Sequence, residues 1–145
     1  MVEVGDKAPD FTLRGHAGED ISLSQYLGQN HVVLSFHAAS FTGGWTHQVS
    51  DFRLLHRRFQ ENDAQVLGIS VDSAPSQRAF CTGLGGVPYP VLADFHPKGD
   101  VSRLYDVYND ERGNSKRSIF IIDKKGFIRF KQLYTQTLPK AEDIL

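Results

Sequence analysis

At 145 residues the chain has the length of about one domain, enough to bury roughly two thirds of its unfolded surface. Sixteen Lys and Arg against 17 Asp and Glu leave a formal charge of −1, a balance that offers no footprint for nucleic acid or an anionic membrane. The lone cysteine, Cys81, rules out an intrachain disulfide, and no apolar run approaches the ~20 residues of a membrane span.

The opening MVEVGDKAPDF lacks the basic-then-apolar order of a signal peptide, which together with the cysteine count points to a reducing, cytoplasmic setting. Histidines at 16, 31, 37, 47, 56 and 96 form no familiar metal spacing with a Cys, a carboxylate or one another. No Walker or Gly-x-Gly-x-x-Gly motif is present, so neither a metal nor a cofactor is expected. Gly83-Leu84-Gly85-Gly86 reads as the stop of a helix, and Arg57-Arg58 and Lys124-Lys125 read as solvated faces.

In chain order, Asp10 to Arg14 alternates as a short strand and pairs with Ile21 to Leu23 across the turn from Gly15 to Asp20. His31 to Phe36 is a compact apolar run of the kind buried on both faces of a sheet. From Trp45 the period changes: Trp45, Val49, Phe52, Leu55 and Phe59 recur at steps of three and four, one apolar stripe on a helix over 45–60. Val66 to Val71 is a second core strand, Ser76 to Leu84 a helix, and Tyr89 to Leu92 a short strand between prolines. Asp100 is placed to cap a helix carrying Val101, Leu104, Tyr105 and Tyr108 on one side. Ser118 to Ile122, a turn at Asp123 to Gly126, and Phe127 to Leu133 read as a β-hairpin. Leu138 to Leu145 begins a last helix of two turns, marginal alone, which implies a chain cut short or a frayed end.

Strands alternating with helices and closing on an antiparallel hairpin predict an α/β sandwich: a central mixed β-sheet flanked by helices, with an N-terminal β-hairpin extension. A thioredoxin-like arrangement accommodates this order as one domain over 1–145. Its site would lie where strand 31–36 feeds helix 45–60, because helix N-terminal amides stabilise anions.

Several stretches carry a family resemblance when taken in order: Val4 to Leu13, Val33 to His37, Tyr89 to Asp94, Tyr105 to Val107, and Arg117 to Asp123 with Gly126. Together they resemble the peroxiredoxins, the alkyl hydroperoxide reductase and thiol-specific antioxidant family, over nearly the whole chain. That family's signature is Pro-x-x-x-Thr-x-x-Cys; the corresponding residues here run from Ala38 to Trp45. Thr42 matches, Ala38 stands for the Pro, and Trp45 occupies the peroxidatic cysteine position, preceded by Gly43 and Gly44. The resemblance further implies that Gln48 lines the pocket and that Arg117 completes it.

Breaking a peroxide O–O bond by nucleophilic attack requires an ionised thiol or selenol. A helix N-terminus and a guanidinium favour the thiolate, and with the Thr hydroxyl they stabilise charge on the departing oxygen. The sulfenic acid product is then reduced by another thiol. An indole has one N–H donor and no ionisable group near pH 7, so the site as written is not expected to reduce peroxide. On its own terms Trp45 reads as a core aromatic starting its helix stripe, with Gly43, Gly44 and Ala38 making room for the ring. A Trp codon is one base from a Cys codon and one from UGA, so an engineered residue, a natural pseudo-enzyme and a selenocysteine read as Trp all stand open.

Cys81 lies 36 positions after Trp45. The resemblance to bacterioferritin-comigratory, or Q-type, peroxiredoxins gives it the resolving position; its neighbours Phe80 and Leu84 make it a small buried hydrophobe instead. If active, the family would imply a hydroperoxide substrate, a thioredoxin-like or low-molecular-weight thiol reductant, and a monomer or homodimer. The alternative is a non-catalytic binding domain, or a redox sensor acting through an exposed Cys81.

Overall fold

The computed structural model describes residues 3–37, 56–83, 87–95, 98–111 and 113–133, and in them a period of two decides the architecture. Strand β3 (His31–Phe36) lies parallel to β4 (Ala64–Ser70), from His31 opposite Ala64 to Phe36 opposite Ile69. On its other side β3 runs antiparallel to β8 (Ser118–Ile122), from Val32 opposite Ile122 to Phe36 opposite Ser118. β4 continues in parallel to β5 (Val91–Ala93). The hairpin of β1 (Thr12–Gly15) and β2 (Asp20–Ser22) closes one edge against β5, and β9 (Ile128–Leu133) closes the other against β8. The resulting seven-stranded mixed sheet has the order β2-β1-β5-β4-β3-β8-β9.

Successive side chains of a strand point to opposite faces, so the central strands feed two separate cores. Val32, Leu34 and Phe36 of β3, Leu67 and Ile69 of β4, and Phe120 and Ile122 of β8 fill one, with Phe11, Val101 and Tyr105 packed over them. The Tyr105 ring meets Phe120 edge-on at 5.2 Å between centroids. Val33, Val66 and Ile119 fill the other, beneath Phe59 of α1 (His56–Glu61) and Phe80 and Cys81 of α2 (Ala74–Gly83). Fully burying a residue of this kind contributes about 1.5–3 kcal/mol, and β3 alone commits four.

The α/β class, the mixed sheet and the N-terminal hairpin agree with the sequence reading, as does the hairpin of β8 and β9. Its turn is made by Asp123, whose Oδ1 accepts the amides of Lys125 and Phe127, both at 3.0 Å, while Gly126 takes a φ of +94° that suits only glycine. Arg57 and Arg58 are exposed. The stripe residues Trp45 to Leu55, the stretch Leu84 to Gly86 and the expected helix at 138–145 lie outside the described residues. Among those described, no helix is long and apolar enough to cross a membrane.

Several elements differ from expectation, among them the second core strand, which runs from Ala64 to Ser70 rather than from Val66 to Val71. β5 begins at Val91 rather than Tyr89, because Pro90 has no amide hydrogen for a ladder and Tyr89 turns into the second core. α2 begins at Ala74, two residues early: Pro75 is tolerated in a first turn, and the Ser73 hydroxyl accepts the Ser76 amide at 3.3 Å. The ribbon of β6 (Tyr108–Asn109) and β7 (Asn114–Ser115) was not read at all. It takes Tyr108 off the helix stripe and sets its ring under the Arg103 guanidinium, 4.0 Å from the ring centroid.

The largest correction concerns α3 (Asp100–Leu104), which Asp100 does not cap. Asp100 is already helical and exposed, and Leu104 is exposed too. The cap arrives from the end of β5: Asp94, fully buried, accepts the Val101 amide at 3.0 Å and the Ser102 amide at 2.8 Å on its two carboxylate oxygens. A single carboxylate therefore ties a five-residue helix, too short to be stable alone, to the sheet. Asp94→Ala is expected to lower the unfolding free energy by about 2 kcal/mol, read from urea denaturation, since it strands two buried donors as well as removing a cap. An unchanged midpoint would refute this capping role.

Candidate active site

The end of β3 is where the sequence reading put the site. Phe36 pairs with Ile69 and with Ser118, so the carboxyl end of β3 is flanked by the same end of β4 and by the start of β8. Arg117, one residue ahead of Ser118, comes off β8 at this point and is half-buried. Extending the alternation from Val33 and from Ile119 puts His37 and Arg117 on one face, the face of the second core. The antiparallel pairing thus sets residue 117 beside the place where the chain leaves β3.

His37 continues the ladder, its amide donating to the Ile69 carbonyl at 3.0 Å. Its ring is buried, and Nδ1 lies 2.7 Å from the same carbonyl oxygen. A carbonyl only accepts, so Nδ1 carries the proton. Burial holds the imidazole well below its usual pKa, which keeps it neutral at pH 7. Beside it lies Gly68, where a Cβ would stand in ordinary van der Waals contact, 3.5 Å from Tyr89 and 3.7 Å from His37. Tyr89 is buried beside Gly68, with His56 at 6.2 Å between ring centroids. Burial lowers the pKa of His56, and its Nδ1 has no hydrogen-bond partner among the described residues.

Cys81 lies in the same core, 2% exposed, and burial pushes its thiol up to about 11. The Tyr89 phenol is likewise pushed upward, first by burial and then by the nearby Cys81 thiol. The expected hydrophobic character of Cys81 is what the structure shows, and the exposed thiol required by the redox-sensor alternative is not there. Ala38, Thr42, Gly44, Trp45 and Gln48 lie outside the described residues. Among those described, no group of three or more His, Cys, Asp or Glu is placed to hold a metal ion.

Sequence reasoning gave His37 and Tyr89 no role in the site. The signal for His37 was available: the alternation of β3, carried one residue further, turns it inward. Tyr89 carried none, because it packs beside Gly68, on a strand remote from it in sequence.

Comparison with known proteins matches this architecture over most of the chain. The model of the AhpC/TSA family covers residues 4–131. Alkyl hydroperoxide reductase E of Mycobacterium tuberculosis (strain ATCC 25618 / H37Rv) is 36% identical over 133 residues, spanning 92% of this chain and 86% of that protein. Peroxiredoxin Bcp of Bacillus subtilis (strain 168) is 37% identical over 129 residues, 86% of this chain and 81% of the relative. The crystal structure of Enterococcus faecalis AhpC superposes with a TM-score of 0.91 at 24% identity, covering 99% and 89% of the two chains, a likeness of fold.

The burial of Cys81 has a direct chemical consequence. A rise from 9.0 to about 11 leaves ~100-fold less thiolate at pH 8. Iodoacetamide is therefore expected to alkylate the folded chain at least ~100-fold more slowly than the urea-unfolded chain at that pH. Equal rates would show that the thiol is open to solvent.

Proposed function

The chain belongs to the AhpC/TSA, or peroxiredoxin, family, and from that membership we propose that it is an antioxidant peroxidase scaffold from which the attacking atom has been removed. The observation that supports this reading is the match of the family over residues 4–131, with Ser118, the neighbour of Arg117, paired to Phe36 at the end of β3. In the proposed site residue 45 opens the helix after β3, Thr42 and Arg117 are donors to the peroxide oxygens, and Ala38, Gly44 and Gln48 line the pocket.

With a thiolate at position 45, sulfur would attack one peroxide oxygen as the O–O bond breaks. The other oxygen would leave as alkoxide or hydroxide and take a proton, and the sulfur would become a sulfenic acid. Arg117 would lower the thiol pKa by stabilising the anion and then stabilise the departing oxygen. His37, neutral and turned back on the Ile69 carbonyl, is a positioning residue that closes the floor of the site. Trp45 supplies none of this chemistry, since its indole has no lone pair basic enough to attack.

In a chain with a nucleophile restored, Cys81 is the candidate to resolve the sulfenic acid as a 45–81 disulfide. Its burial means that α2 must open first. A thioredoxin-like protein or a small thiol would then complete the cycle, with the protein a cytoplasmic monomer or homodimer of one domain. The second reading, a non-catalytic peroxiredoxin-like binding domain, is favoured by Trp45 itself.

Consumption of hydrogen peroxide and of tert-butyl hydroperoxide, with dithiothreitol or thioredoxin as reductant, separates the two. The Trp45 chain is expected to be inert. Trp45→Cys is expected to gain at least about a thousandfold in rate, with a 45–81 disulfide found by mass spectrometry after one equivalent of peroxide. Adding Arg117→Gln to that variant is expected to cost about a hundredfold. A folded Trp45→Cys chain without activity would sink the peroxidase reading and leave the binding domain.

A further inference from the structure

His16 follows β1 directly and joins three elements. Its amide donates to the Val91 carbonyl at 2.9 Å, and the Val91 amide donates back to its Nδ1 at 3.0 Å. Its own carbonyl accepts Nε of Arg78, on α2, at 2.9 Å. A turn residue of the N-terminal hairpin is thereby bound to the start of β5 through backbone and ring, and to α2 through a guanidinium. One residue before Arg78, Gln77 is buried and donates to the Leu92 carbonyl at 2.8 Å and to the Ser70 hydroxyl at 2.9 Å. One turn further along α2 is Cys81. Hairpin, strand and helix thus meet at one seam, and the thiol lies behind it.

The ring's part in this seam depends on its protonation. A backbone amide can only donate, so Nδ1 must present its lone pair, and the proton of the neutral ring sits on Nε2. Protonation places a hydrogen on Nδ1 as well, and a donor then faces the Val91 donor. We propose that His16 is a pH-sensitive latch: neutral, it holds α2 and the Cys81 thiol shut against β5; protonated, it releases them. The latch stands apart from the peroxidase reading, and only its consequence for a resolving thiol rests on that reading.

The surrounding charges agree with such a switch. Glu19, on the same turn, favours the protonated ring, and Arg78 of α2 opposes it; Pro90, Val91 and Leu92 of β5 bring no charge. Burial opposes protonation most, so the pKa of His16 falls below the ordinary 6.5. The sign follows: the unfolded chain binds this proton more readily, so the latch is complete above about pH 6.5 and is lost as pH falls through the lowered value.

Because Cys81 is the one thiol, its labelling reports the seam directly. The full chain is reacted with 4,4′-dithiodipyridine between pH 5.0 and 7.5, each rate divided by that of the urea-unfolded chain at the same pH to cancel intrinsic ionisation. The normalised rate is expected to rise about three- to tenfold toward acid. It should stay flat in His16→Gln, whose amide oxygen accepts the Val91 amide at every pH. A flat profile in the unmodified chain overturns the latch. So does an equal rise in His16→Gln, which would assign acid opening to the buried rings of His37 or His56. Should the variant misfold, NMR of the unmodified chain decides: exchange protection of the Val91 amide is expected to fall as the His16 ring titrates, and unchanged protection refutes the proposal.

Discussion

The register of β3 between β4 and β8 is the constraint on which the rest depends. Both neighbours bond to β3 along its length, and both pairings reach Phe36. With every residue from Val32 to Phe36 buried, a slip of one position would exchange the two cores and put Ser35 among the aromatics of the first. The same register decides where function can reside. It puts His37 next to the Ile69 carbonyl and brings Arg117 to the point where the chain leaves the strand. A site assembled at strand termini in this way inherits the rigidity of the sheet while remaining open at its end.

The two cores divide the labour. The first is a packed aromatic layer of Phe11, Phe36, Tyr105 and Phe120 that serves the fold. The second lies beneath α1 and α2 and gathers His37, His56, Tyr89 and Cys81. Burial acts on all four in one sense, toward the uncharged form.

Much of this was legible in the residues. Apolar runs at 31–36 and 66–71 marked central strands because burial on both faces demands unbroken hydrophobicity, and the turn at Asp123 to Gly126 announced its hairpin through an Asp and a Gly. What stayed hidden were interactions between residues far apart in the chain. Asp94 caps α3 from the end of a strand, so no local pattern pointed to it, and the nearer Asp100 drew the inference instead. The β6–β7 ribbon is two residues wide, too short for any alternation to register. Cys81 stands evenly between two roles in the sequence, and its burial in the second core was not announced by any local pattern. For the site itself, Arg117 was singled out through resemblance alone, whereas Trp45 is a departure from pattern whose meaning lies in chemistry rather than in the fold.

We propose that the surroundings of the β3 terminus would still activate a nucleophile placed at position 45. The most direct test is the thiol pKa at position 45 in Trp45→Cys, from thiolate absorbance near 240 nm, with Cys81 replaced by Ala to leave one thiol. The expected value lies well below the ordinary ~8.5 and moves upward when Arg117→Gln is added. A pKa at or above ~8.5, indifferent to Arg117, would contradict it.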